Sequence, residues 1–190
     1  MRIAAATVLL ALALPVFAIP PVPRPSKEFT FVDPSGKQTL LTSYKGKVVV
    51  IQFLFTWCSH CQAFSGTLTK LQKELGSKVQ MLGVAFDDNV NPAAAKDYAQ
   101  KYAPAFPVAY APRDTVLSYL GLSVMDRLAV PQVVVIDKMG IIRAQSQPMG
   151  SGELQDENNL RKMINDLSQG IIPKVEAAAK TETKAVAKTK

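Results

Sequence analysis

The chain has 190 residues, of which 48% are hydrophobic, enough apolar material for one domain with a real core, so disorder throughout is excluded. Its formal charge of +7 sits mostly at the ends: Arg2 and Arg24 carry two, residues 171–190 carry a net three, and Ser26 to Gly170 keeps only +2. A nearly balanced interior without a basic stripe argues against nucleic acid as a partner.

Residues 1–18, MRIAAATVLLALALPVFA, set Arg2 before an apolar run from Ile3 to Leu14, followed by Pro15 and the small Ala18. This is the pattern of a secretory signal peptide cleaved after Ala18. Read instead as an uncleaved anchor, Ile3 to Ile19 is just long enough to span a bilayer. No cysteine follows the run, so a lipid on an N-terminal cysteine is not available. Residues 19–26, IPPVPRPS, hold four prolines and read as an extended linker. The folded domain is expected over 27–170.

Inside that domain FTFV and KQTLL flank Asp33-Pro34-Ser35-Gly36, turn chemistry between two short strands. GKVVVIQFLF, Gly46 to Phe55, is a β-branched and aromatic run of the kind covered on both faces of a sheet. The period then changes: Cys61, Phe64, Leu68, Leu71 and Leu75 fall on one helical stripe. KVQMLGVAF is a second core strand, and Pro92 starts a helix reaching Tyr102. FPVAY is a short strand. Asp114 is expected to cap a helix over Thr115 to Leu120 that Gly121 ends. VVVID and IIRAQSQ flank Lys138-Met139-Gly140 as an antiparallel hairpin, and Asn158 to Leu167 forms a closing helix. Residues 171–190, rich in Lys, Ala and Thr, read as a solvated tail with weak attraction for an anionic membrane. The order of elements predicts an α/β fold, a sheet with helices on both faces.

Both cysteines and the single histidine of the chain lie in Thr56-Trp57-Cys58-Ser59-His60-Cys61, where strand gives way to helix. A disulfide across two intervening residues closes too small a loop to restrain the unfolded chain by much. Covalent haem attachment wants histidine directly after the second cysteine, where Gln62 stands. A tetrahedral zinc site lacks ligands beyond Cys58, Cys61 and His60, so no metal is expected. A redox couple fits the position. A helix start favours an anion, so Cys58 is the expected thiolate, and Cys61, on the buried stripe one turn on, is placed to attack a mixed disulfide at Cys58.

The segment Trp57 to Cys61 after a hydrophobic strand, with Val130-Pro131-Gln132 leading into VVVID, resembles the thioredoxin superfamily. More narrowly it is similar to exported proteins of the TlpA and ResA type, which are related to AhpC/TSA, over about Glu28 to Ser168. The resemblance implies a thioredoxin-like fold: a central mixed sheet flanked by helices, an N-terminal β-hairpin, and an inserted strand–helix unit around Asp87 to Tyr110. It implies Cys58 as the attacking thiolate and Cys61 as the resolving thiol, with Trp57, Ser59 and His60 tuning the site. Pro131 resembles the family's cis-proline, with Val130 offering backbone groups to substrate.

Two departures stand out. Gln52 occupies the place where relatives carry a buried aspartate, and Asp88, beside Asp87, matches the acidic residue that approaches the cysteines in the ResA type; the alternative for these aspartates is a solvated loop with Asx turns. His60 stands where strongly oxidising relatives carry histidine. An imidazole that stabilised the reduced state by about 1.4 kcal/mol would raise the potential by about 30 mV, whereas an imidazole facing water would not. The expected function is an exported, periplasmic or secreted thiol-disulfide oxidoreductase acting on protein thiols with a redox partner protein, without cofactor, with cytochrome c maturation as one setting. A peroxiredoxin-like thiol peroxidase would want Pro at Ile51 and Thr at Phe55; a thioredoxin-like binding module without turnover is the third reading.

Overall fold

The computed structural model describes residues 19–103 and 105–172. Residues 1–18, read above as a signal peptide, and all but the first two residues of 171–190, read as a tail, lie outside the described residues. The sheet is built from β1 (Arg24–Pro25), β2 (Thr30–Val32), β3 (Gln38–Leu40), β4 (Val48–Leu54), β5 (Val79–Ala85), β6 (Val108–Tyr110), β7 (Gln132–Ile136) and β8 (Ile141–Gln145). The helices are α1 (Ser59–Leu75), α2 (Pro92–Tyr102), α3 (Arg113–Leu120), α4 (Gly152–Gln155) and α5 (Glu157–Ser168).

All eight strands form one sheet in the order β1-β8-β7-β4-β5-β6-β2-β3. β4 lies at its centre, parallel to β5 and antiparallel to β7, and every residue of it is buried. Its β-branched residues suit a strand covered on both faces. The period of two divides it: Val48, Val50 and Leu54 pack with α1, α2 and α5, while Val49, Ile51 and Phe53 pack with α3, Phe29 and Phe31. Helices therefore cover both faces, as the sequence pattern predicts. β2 and β3 form the N-terminal hairpin, and α2 with β6 forms the inserted unit.

Three boundaries differ from expectation. Within the expected linker 19–26, Arg24 and Pro25 pair antiparallel with β8. Proline is tolerated there because an edge strand does not need every N–H, and Arg24 secures the segment by donating to the Pro20 carbonyl at 2.9 Å and to Gln145. Asp114 does not cap α3; the cap position is Pro112, without a side-chain bond, and Asp114 falls in the first turn. Gly121 does end that helix, in the left-handed region at φ +72°. Before the closing helix stands the short α4, too brief to carry a helical period. α5 itself starts at Glu157, where the Asp156 carboxylate accepts from Asn159 N–H at 2.9 Å.

Candidate active site

β4 delivers the chain to Leu54, three residues turn, and Cys58 becomes the N-cap of α1. The turn is closed by Cys58 N–H donating to the Phe55 carbonyl at 3.1 Å, and α1 begins with Gln62 N–H donating to the Cys58 carbonyl at 3.0 Å. The Cys58 sulfur fills the capping role usually played by oxygen, accepting from Cys61 N–H at 3.2 Å. The first turn of α1 thus aims a backbone N–H at the sulfur. Cys58 is 9% exposed and Cys61 is fully buried. Burial pushes the Cys61 thiol well above the ordinary range, and the Cys58 sulfur beside it adds to that rise. Both cysteines are buried, Cys58 at the edge of the core and Cys61 one turn behind it without any exposure.

The Val130–Pro131 peptide is cis, and the Val130 carbonyl oxygen lies 3.8 Å from the Cys58 sulfur. This loop is held by Gln132, whose buried amide donates to the carbonyls of Ala129, Gln147 and Pro148 at 2.7, 3.1 and 3.1 Å. Trp57 is 72% exposed beside Cys58. Its ring leans on Phe55, 5.3 Å between centroids, and Phe55 leans on Phe86, 4.8 Å away. Ser59 and His60 are both exposed on the first turn of α1. Among the described residues, no group of three His, Cys, Asp or Glu could hold a metal ion.

The acidic residue after β5 that engages the cysteine loop is Asp87, correcting the expectation for Asp88. The Asp87 side chain is nearly buried and its carboxylate accepts from Thr56 N–H at 2.8 Å, whereas Asp88 is exposed. Gln52, read from sequence only as a lost acid, grips the cysteine helix. Its amide nitrogen donates to the Cys61 carbonyl at 2.9 Å and its oxygen accepts from the Ser65 hydroxyl at 2.7 Å. Ser65 in turn meets the Tyr98 hydroxyl at 2.9 Å. Sequence reasoning missed Gln132, Ser65 and Tyr98. The available signal was a polar residue at a buried position of the period, which demands a partner.

The Redoxin family model matches residues 21–164. The chain is a member of the Redoxin family. Among similar proteins of this group, Thioredoxin-like protein YneN of Bacillus subtilis is 26% identical over 117 residues, 61% of this chain and 65% of that protein. Thiol-disulfide oxidoreductase ResA of Bacillus thuringiensis is 29% identical over 115 residues, 59% of this chain and 61% of that protein. The chain therefore spans just under two thirds of the length of these curated relatives. Among solved structures, a thiol:disulfide interchange protein of the thioredoxin family from Chlorobium tepidum superposes with a TM-score of 0.62 at 21% identity, covering 78% of this chain and 99% of that one. The pneumococcal exposed lipoprotein thioredoxin of Streptococcus pneumoniae gives 0.59 at 24%, covering 74% and 100%. The fold of this Redoxin-family chain is thioredoxin-like, as the resemblance implied.

Proposed function

We propose that this protein is an exported thiol-disulfide oxidoreductase acting on protein thiols. The observation that carries the reading is the Cys58 sulfur capping α1 at the edge of the core, with the fully buried Cys61 three residues on. As a reductant, the Cys58 thiolate attacks one sulfur of a substrate disulfide and the other substrate sulfur leaves as a thiolate. Cys61 gives its proton to the substrate thiolate just released and attacks the Cys58 sulfur. The Cys58–substrate bond breaks, a second substrate thiolate leaves, and the Cys58–Cys61 disulfide holds the oxidising equivalent. Two electrons have passed to the substrate, and the same steps in reverse make an oxidant. Two sulfurs suffice for this, so the reading calls for no cofactor.

The Val130 carbonyl beside Cys58 and the exposed Trp57 suit an extended chain laid across the sulfur, with Val130 and Pro131 as its binding edge. Ser59 and His60, exposed next to Cys58, are placed to act on bound substrate and on charge at the sulfur. The secretory pattern of residues 1–18 and the resemblance to exported proteins of the TlpA and ResA type support export to the periplasm or beyond, with a domain over residues 27–170. Protein thiols, a redox partner protein and a setting in cytochrome c maturation belong to the same reading.

The test is equilibration of the full chain with glutathione mixtures followed by mass analysis. The expected result is interconversion of dithiol and an intramolecular disulfide. Cys58→Ser abolishes all exchange, while Cys61→Ser stops at a mixed disulfide on Cys58. No intramolecular disulfide at any glutathione ratio would remove the proposal.

A further inference from the structure

Beneath Cys61 lies a chain of polar side chains for which two-sulfur chemistry has no direct use. Gln52, Ser65 and Tyr98 are 0, 0 and 3% exposed, and they come from three elements: the central strand β4, helix α1 one turn past Cys61, and the inserted helix α2. The contacts are 2.9 Å from Gln52 to the Cys61 carbonyl, 2.7 Å from Ser65 to Gln52 and 2.9 Å between Ser65 and Tyr98.

The direction of every bond follows from proton count. Because the Gln52 amide nitrogen donates to the Cys61 carbonyl, the Gln52 oxygen is left as acceptor, and the Ser65 hydroxyl spends its one proton on it. Tyr98 must then donate to Ser65. The order is Tyr98 to Ser65 to Gln52 to the Cys61 carbonyl, with no ionisable base within the three. In a core shut off from water, each of these groups has only its neighbour to satisfy it, so the set behaves as one rigid strut.

We propose that Tyr98 is a positioning residue for disulfide closure, acting through Ser65 and Gln52 to hold the first turn of α1, and with it Cys61, at attacking distance from Cys58. The inference rests on the two-step exchange proposed above. The reasoning is one of orientation: attack within one molecule gains its speed from a fixed geometry, which a small displacement of the attacking atom forfeits. Cys58 is anchored in its own turn by its N–H donating to the Phe55 carbonyl and shares with Cys61 only the N–H aimed at its sulfur, so the strut bears more on the second step than on the first. The inserted helix α2 thereby has a role at the site although it supplies no sulfur. Tyr98 also lies close enough to feel charge on both sulfurs; burial first, then those charges, holds its phenol above the ordinary range, so it keeps the proton on which the strut depends.

The experiment is rapid-quench mass analysis of the full reduced chain mixed with oxidised glutathione, comparing the unaltered protein with Tyr98→Phe and Ser65→Ala. Glutathione oxidised by two electrons supplies the first bond: the Cys58 thiolate takes one half and releases the other as thiolate, and Cys61 then closes the ring and releases the second half. In both variants the Cys58–glutathione adduct is expected to accumulate. Closure slows by about two- to tenfold, the effect of one lost hydrogen bond, while adduct formation keeps its rate. Circular dichroism checks that each variant is folded. Unchanged closure in both folded variants would overturn the inference and leave the exchange reading intact, as would equal slowing of both steps, which marks a general loosening. Failure of the unaltered protein to form an adduct or a ring would remove the exchange reading, and this inference with it.

Discussion

Asp87 stands where the end of β5 meets the loop that carries Cys58, and its carboxylate holds that loop through Thr56 N–H at 2.8 Å. With only 8% of the residue exposed, loss of the carboxylate leaves a backbone donor without a partner in a partly buried turn. Asp87→Ala is expected to cost about 1–3 kcal/mol and to change the rate at which Cys58 is alkylated. Asp87→Asn keeps an acceptor oxygen and should stay near the unaltered protein in both. Urea unfolding with parallel alkylation kinetics checks this, and an Asp87→Ala protein of unchanged stability and reactivity would rule the clasp out. At this scale the sequence reveals the chemistry and leaves the orientation open. Cys58 and Cys61 are legible because they are the only thiols in the chain, and Val130-Pro131 because it leads into a core strand. Asp87 and Asp88 are adjacent and chemically identical. Only the path of the chain beyond Phe86, which packs inward among Phe53, Leu82 and Val84, decides which of them turns back to the cysteine loop. The strut is hidden for a related reason, because Gln52, Ser65 and Tyr98 are far apart in sequence and their partnership exists only after three elements have packed.

Long periodic elements are legible in the sequence, and so are the three-residue strands β2, β3 and β6, whereas β1 and α4 are not. β4, β5, α1 and α5 carry enough residues for a period to show, and the turns at Asp33 and Lys138 carry the right residues to reverse a chain. β1 is two residues long and half proline; nothing in its pattern separates it from a linker. Its place depends on tertiary contacts, including one between Pro20 and the end of α3. Gly121 there has φ +72°, and a methyl group on it would run into the Pro20 ring. Gly121→Ala therefore meets two obstacles, the left-handed backbone, worth about 1–2 kcal/mol for a residue with a side chain, and the collision. The expected result is a lower melting temperature together with faster amide exchange at Ser26, whose N–H donates to the Gly140 carbonyl at 2.9 Å just past β1. A lower melting temperature with Ser26 exchange unchanged would show that the arm is not braced by this contact.

Across the whole molecule, the two faces of the sheet each bury a titratable group that folding keeps protonated. On one face Cys61 and Tyr98 are shifted upward, chiefly by burial. On the other, Tyr119 packs against Phe29 and Phe53 with ring centroids 5.1 and 5.7 Å away, and burial pushes its phenol up to about 12. In the unfolded chain a tyrosine titrates near 10. Between those values the folded state binds the proton that the unfolded state has already lost, so stability falls as pH rises. Below about 10 both states hold the phenol protons and the tyrosines contribute no slope. In the reduced protein Cys61 starts the fall, because its thiol titrates near 8.5 when unfolded and higher when folded; the urea midpoint is therefore expected to decline from about pH 8.5 and more steeply between about 10 and 12, where the tyrosines add their slope. Tyr119→Phe removes one of the titrating groups and should make the drop shallower, at the cost of the 2.9 Å contact between its hydroxyl and Ser26. Because the two faces share β4, loss of either cluster unfolds both. The alkaline transition should thus be single and coincide by tryptophan fluorescence and by circular dichroism, the former reporting from Trp57 beside the cysteines. A midpoint that rose between pH 10 and 12, or two separate transitions, would contradict the account.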